Sequence, residues 1–418
     1  MRGAIATLLI ALLLPVVAVI ASPALTSYAA DSIDEPSDPI AALEVDIASS
    51  GETSAVSSGE DLGQLLTPPP AADQTETWWE GLSAETRSDL IRESPEIVGN
   101  LDGVPYDVRD RVNREILAHT IAEISQSLED GLGKAASQTA AQRLAMLREI
   151  DEALETDPSA PTRRLVVLDT GFPGKAAISL GELSDADFVS ILVPGALLSV
   201  REHMSEWTKV TADLFESQEG WQSMFDDSRS VATVAWIGYQ TPDITNAIGL
   251  ELAEEGGIAI ASFVNGIKTL RPEDEPYISI FAHSYGATAT TLALSRGWMS
   301  VDALAMMGSP GGEVDSVSDL AVPDEKVWVG EASWDPIVNS AFFGIDPSDP
   351  AFGAKRMNVS GVADPMTGDD LTPSYGHDWY LEPGTESLRN LALIGIDRGN
   401  LVTDGGADDE LKTLPLPN

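Results

Sequence analysis

The rhythm of apolar and polar positions changes several times along the chain, and each change marks an element or a boundary. An apolar run from Ala4 to Ala21 stands behind Arg2 and ends in the small-residue stretch Ser27-Tyr28-Ala29-Ala30. This is the layout of an export signal, with cleavage near Ala29 or Ala30 and a mature start close to Asp31. The run also reaches the lower limit for a membrane span, so an uncleaved anchor is the alternative. Residues 31–75 are rich in Ser, Pro, Asp and Glu and contain Pro68-Pro69-Pro70. They bury too little apolar surface to fold and are expected to form a disordered linker.

From 76 to 160 the period is helical. Ser83-Ala84-Glu85-Thr86 precedes Leu90 and Ile91, and Val108, Val112, Ile116, Ile121 and Ile124 recur at intervals near three and four. Trp78 and Trp79 are expected to pack this helical region. After Pro161 short apolar runs alternate with amphipathic stretches. The runs are Leu165–Leu168, Phe188–Val193, Val231–Ile237, Ile278–Phe281, Ala303–Met307 and Val327–Val329, with helical stretches at Ile258–Leu270, Ala287–Ser295 and Ser387–Ile396. Several runs are apolar throughout, as strands are when helices cover both faces. Strand–helix–strand order predicts an α/β domain over 161–400 with a mostly parallel sheet. Residues 401–418 read as a flexible acidic tail.

Composition narrows the chemistry. The 67 acidic residues face only 24 basic ones, so the chain repels phosphate backbones and nucleic acid is excluded as a partner. Cysteine is absent, which removes disulfides, thiolate metal sites and cysteine nucleophiles. With four histidines, a zinc site is not expected, and neither is a cofactor.

One segment carries the chemistry. Ala282-His283-Ser284-Tyr285-Gly286 fits small-x-Ser-x-Gly, with an apolar strand running in and a small-residue helix running out. That is the setting of a nucleophile elbow, in which strand and helix approach so closely that the flanking positions must be small. Ser284 is therefore the candidate nucleophile, and the α/β-hydrolase fold is the predicted architecture. Serine needs a base, and in this fold the chain order is Ser, acid, His. His377 is the only histidine after Ser284 and sits in the Gly-containing loop Ser374–Tyr380. Thirteen carboxylates lie between the two. Asp335 is the preferred acid, because it follows a predicted strand within a short turn closed by Pro336. Glu331, Asp364 and Asp370 are the alternatives, with Asp364 read as an exposed loop carboxylate.

The expected oxyanion donors are the Tyr285 amide and one from the loop after Phe188–Val193, either Ala196 or Leu197. Asp169–Gly174 reads as a plain hairpin turn. His283 is expected to pack beneath Ser284, His203 to lie at the surface or line the pocket, and His119 to have no role.

These residues sit among others that resemble an α/β-hydrolase family of actinobacteria long filed as a domain of unknown function. The matching pieces are Trp78-Trp-Glu-Gly-Leu, Gly99-Asn-Leu-Asp-Gly-Val-Pro105, Leu192-Val-Pro-Gly195, Ala235-Trp-Ile-Gly-Tyr239, His283-Ser-Tyr-Gly286, Asp335-Pro-Ile337 and Pro350-Ala-Phe-Gly353. Ala282 departs from it, standing where the family usually has Gly. The resemblance implies Ser284, Asp335 and His377 as nucleophile, acid and base. The expectation is an exported serine hydrolase, an esterase on a small or lipid-like acyl substrate, with cell-envelope association. An acyl transferase, or an inactive envelope-binding module, is the alternative.

Overall fold

A computed structural model describes residues 71–405 apart from 158–159, 244–248, 339 and 341. The leader, nearly all of the linker and the tail beyond 405 lie outside the described residues. Among those described, no helix is long and apolar enough to cross a membrane.

The chain begins with α1 (Ala72–Gly81), α2 (Ala84–Glu93), the single turn α3 (Pro95–Val98), α4 (Tyr106–Asp130) and α5 (Lys134–Leu154). The Ser83 hydroxyl accepts from the Thr86 amide and starts α2. There follow β1 (Arg163–Asp169), β2 (Lys175–Leu180), β3 (Phe188–Val193), α6 (Val200–Met224), β4 (Val231–Ile237), α7 (Glu251–Thr269), β5 (Tyr277–His283) and α8 (Tyr285–Ser295). The chain ends with β6 (Ala303–Met307), β7 (Val327–Gly330), β8 (Lys355–Arg356) and α9 (Glu386–Gly395). These strands form one sheet in the order β1-β2-β4-β3-β5-β6-β7-β8. β2 pairs antiparallel with β1 and β4, and every pairing from β4 to β8 is parallel.

The apolar runs become the central strands because they are covered twice. Every residue of β3, β4 and β6 is buried. One face packs against α4, α5, α6 and α9 through residues such as Leu117, Met146, Ile150, Met204, Leu214 and Leu391. The other packs against α7 and α8 through Ile260, Val264, Ala287 and Ala293. Burying each large aliphatic side chain contributes about 1.5–3 kcal/mol, so these two layers dominate the stability of the sheet.

The structure departs from the sequence expectations at three boundaries. α1 begins at Ala72, inside the segment expected to be linker, because Ala72 and Thr75 are buried against the turn at Gly103. β2 is not among the expected apolar runs, although Asp169–Gly174 does join it to β1 as the hairpin turn read from the sequence. Lys175-Ala-Ala-Ile-Ser-Leu contains two alanines, poor strand formers, and is held by its neighbours on both sides. The tail starts later than 401, since the Asn358 amide donates to the Thr403 carbonyl and Asp404 bridges to Met357.

Candidate active site

Ser284 stands between β5 and α8 with φ 53 and ψ −128, a conformation that bulky residues rarely adopt. The turn holds it there. The Ser284 amide donates to the Met307 carbonyl at the end of β6, 2.9 Å away. A Cβ on Gly286 would lie 2.5 Å from the Pro194 carbonyl oxygen, so only glycine fits where helix and strand cross. Ala282, buried in β5 beside Val193, shows that a methyl is accommodated where the family usually has Gly.

Asp335 and His377 meet across 42 residues of chain. The His377 Nδ1–H donates to the Asp335 carboxylate, 3.0 Å from both oxygens. Tyr380 donates its hydroxyl proton to Oδ2 at 2.7 Å, and the Ile337 amide donates to Oδ1 at 2.9 Å. Burial pushes the Asp335 carboxyl up, but the bonds from His377, Tyr380 and Ile337 outweigh it and hold the group below the usual carboxylate range. Gly308, at φ +58, leaves space for the pair: a Cβ there would sit 2.8 Å from Asp335 Oδ2 and 3.0 Å from His377 Nδ1. Gly308 directly follows Met307, whose carbonyl accepts from Ser284, so elbow and acid–base pair share one end of the sheet. Ser284 Oγ itself makes no hydrogen bond to His377 among the described residues.

Two of the three alternative acids have basic partners. Glu331 faces Arg356 at 3.6 Å, and Asp370 is exposed. Asp364 corrects its sequence reading: it is buried, pairs with Arg389 at 2.9 Å and accepts from the Met366 and Thr367 amides.

Gly195 lies directly against the serine, since a Cβ on it would fall 2.5 Å from Ser284 Cβ and 3.1 Å from Oγ. Three bonds pin this loop: the Tyr239 hydroxyl to the Pro194 carbonyl, the Thr241 hydroxyl to the Leu198 carbonyl and the Leu197 amide to the Pro242 carbonyl. The last removes Leu197 as an oxyanion donor, because its one N–H is already used at 2.9 Å. That leaves the amides of Ala196, which adjoins Gly195, and Tyr285, which adjoins Ser284, as the expected donors. The Tyr285 side chain turns away to α7, giving its proton to Gly249 and accepting from the Ala253 amide.

His283 is the residue whose position the sequence undervalued. Its buried ring lies 4.6 Å from the His377 ring, and its Nε2–H donates to the His377 carbonyl at 2.7 Å. A carbonyl only accepts, so the Nε2 of His283 carries a hydrogen. Burial, then the neighbouring His377, push this imidazole down to about 4. The signal was its place one residue before Ser284, which ties any contact it makes to the elbow. Of the other histidines, His203 accepts from the Ser199 amide at the start of α6, and His119 pairs with Glu123 on α4. Among the described residues no cluster of three or more His, Asp or Glu is arranged to hold a metal ion.

The sheet order, the elbow and the paired carboxylate and imidazole define the fold class: the α/β-hydrolase fold. Residues 169–345 match the model of the α/β-hydrolase family. The chain is 28% identical over 393 residues to the uncharacterised protein Rv2079 of Mycobacterium tuberculosis, covering 83% of this chain and 59% of that one. It is also 28% identical over 245 residues to Rv0963c of the same organism, covering 56% of this chain and 87% of the relative. The resemblance to an actinobacterial α/β-hydrolase family of unknown function therefore holds over most of the chain, which spans under two thirds of the first relative's length. Among solved structures, an esterase/lipase from an uncultured bacterium is 11% identical with a TM-score of 0.36, covering 65% of this chain and 99% of that one. An esterase of Pyrobaculum calidifontis is 12% identical with the same TM-score, covering 63% and 94%.

Proposed function

We propose that the protein is an exported serine hydrolase, an esterase that works through an acyl-Ser284 intermediate. The observation that carries this reading is a serine in a strained elbow at the sheet end where a carboxylate grips an imidazole by its Nδ1–H. Ser284 Oγ attacks the ester carbonyl while His377 Nε2 removes its proton, after a side-chain rotation that closes the gap between them. Asp335 fixes the tautomer that leaves Nε2 free to accept, and it stabilises the imidazolium once formed. The amides of Tyr285 and Ala196 take the negative charge that develops on the carbonyl oxygen. The alcohol leaves with the proton from His377, and water, activated by the same imidazole, releases the acid and restores Ser284. Export rests on the apolar run behind Arg2 and its small-residue end.

A fluorophosphonate probe tests the chemistry, because only an activated serine reacts with it at useful speed. Wild-type protein is expected to label, and Ser284→Ala is not. Labelling that survives in the alanine variant removes Ser284 from the mechanism, and an unlabelled wild type favours a binding module. Export is tested by mass spectrometry: a mature chain beginning near Asp31 outside the cytoplasm is expected. An intact leader in the membrane fraction means an anchor instead.

A further inference from the structure

The loops that carry the candidate site also carry large apolar side chains turned to solvent. Leu197 is 44% exposed two residues after Gly195, Trp334 is 76% exposed one residue before Asp335, and Tyr375 and Trp379 are 50% and 55% exposed two residues either side of His377. Scattered exposed apolar residues are ordinary, but four of the eleven large ones among the described residues crowd into these short stretches. Two of them are held there at a cost. Leu197 has φ +70 and Trp334 φ +64, backbone conformations in which glycine would be unstrained. Strain of this kind gathers where function needs a side chain in one place. The segments are joined: the Gly376 amide donates to the Ser333 carbonyl at 2.9 Å, and Ser333 bridges to Tyr375. The backbone around Trp334 therefore runs beside that around Tyr375, next in the chain to Asp335 and His377.

We propose that Leu197, Trp334, Tyr375 and Trp379 form an apolar rim that takes the hydrocarbon chain of an uncharged ester, making medium- and long-chain acyl esters the substrate class. This rests on the serine-hydrolase reading. Each rim residue lies within two positions of Gly195, Asp335 or His377, and Gly195 lies directly against Ser284, so the rim borders the candidate site. A docked protein there would block the site, whereas the chain of a bound ester uses both at once. An acetyl group held between Gly195 and Ser284 leaves the rim in water; a longer chain buries it. Charge sets the rest of the class. Asp378 is exposed between His377 and Trp379, and the whole chain carries a net charge of −43, so an anionic lipid is repelled. The same field favours departure of the product carboxylate.

The experiment measures equilibrium binding of p-nitrophenyl octanoate and p-nitrophenyl acetate to Ser284→Ala protein by calorimetry, beside wild-type turnover of both. The octanoate is expected to bind at least about tenfold more tightly than the acetate. That preference is expected to vanish when Trp334→Gly and Trp379→Ser are added. Glycine suits the backbone at 334, and position 379 is exposed, so both changes are compatible with the fold. Tyr375→Ser provides a second, independent variant. Equal binding of the two esters, or a preference that survives all the rim changes, overturns the proposal. Octanoate binding without any wild-type turnover supports the rim and counts against the catalytic reading, which separates the two failures.

Discussion

At the scale of single residues, the Asp335–His377–His283 contacts make separable predictions. Asp335→Asn keeps the shape but favours the wrong imidazole tautomer and cannot stabilise the cation. Ester-hydrolysis kinetics should show kcat reduced by about three to four orders of magnitude with little change in KM. A near-normal kcat would mean that another group orients His377. His283 touches His377 through one hydrogen bond and a ring contact, so under the proposed mechanism it is a positioning residue for the base. His283→Phe should lower kcat by about tenfold, the worth of one buried hydrogen bond, and His283→Gln should recover much of the loss by donating from a similar place. Equal losses in both would assign the residue to packing alone. Titration distinguishes His283 further. Its folded value of about 4 lies below the ordinary 6.5, so the unfolded chain binds the proton first as pH falls. Stability should therefore decline between pH 6.5 and 4, at up to about 1.4 kcal/mol per pH unit, and His283→Gln should flatten that slope in denaturant melts. The depressed Asp335 carboxyl acts in the same direction but lower: its contribution is present above the ordinary carboxylate range and is lost as pH falls through the folded value.

At the scale of elements, the motifs shared with the family have structural reasons. The side chain of Asn100 donates to the Leu168 carbonyl and accepts from its amide, capping the open edge of β1 as a neighbouring strand would. Asp102 accepts from Arg109 on α4 and Ser262 on α7, which ties the N-terminal helical region to the helix layer over the sheet. Ala235–Tyr239 ends in the hydroxyl that pins Pro194 beside the serine. Near the base loop, the buried Asp364–Arg389 pair fastens residues 364–367 to α9. Asp364→Ala should cost about 3–5 kcal/mol in a chemical denaturation curve, because it strands a buried guanidinium. A loss under 1 kcal/mol would show that water reaches Arg389. Gly308→Ala tests the space behind the acid–base pair: its Cβ would press on both side chains from a backbone already at φ +58. Activity should fall sharply while circular dichroism stays native.

At the scale of the whole molecule, charge is the dominant feature. With a net charge of −43, self-repulsion works against the compact state, and screening relieves it. The melting temperature should rise as salt increases from about 20 mM to about 500 mM, as the Debye length contracts from roughly 20 Å to a few ångströms. A flat response would mean that the carboxylates are already compensated locally. Local pattern was sufficient for much of the architecture, since covered strands must be apolar throughout and an elbow must be flanked by small residues. Hence β3 to β7, α4, α7 to α9 and the turn at Ser284 could be read from the chain. Position in the chain order singled out His377, and a turn after a strand singled out Asp335. What the pattern could not carry was anything settled by groups distant in sequence. The strand β2 exists because β1 and β4 supply its hydrogen bonds, not because its alanines favour extension. Leu197 lost its free amide to Pro242, a partner 45 residues away, and Asp364 acquired a buried partner in Arg389. His283 and Tyr380 joined the acid–base pair only once β5 and the base loop were folded against each other. Periodicity and spacing report which face a residue presents and how tightly its own turn must close. The partner of a hydrogen bond, and so the state of each polar group in the site, is decided when separate segments pack.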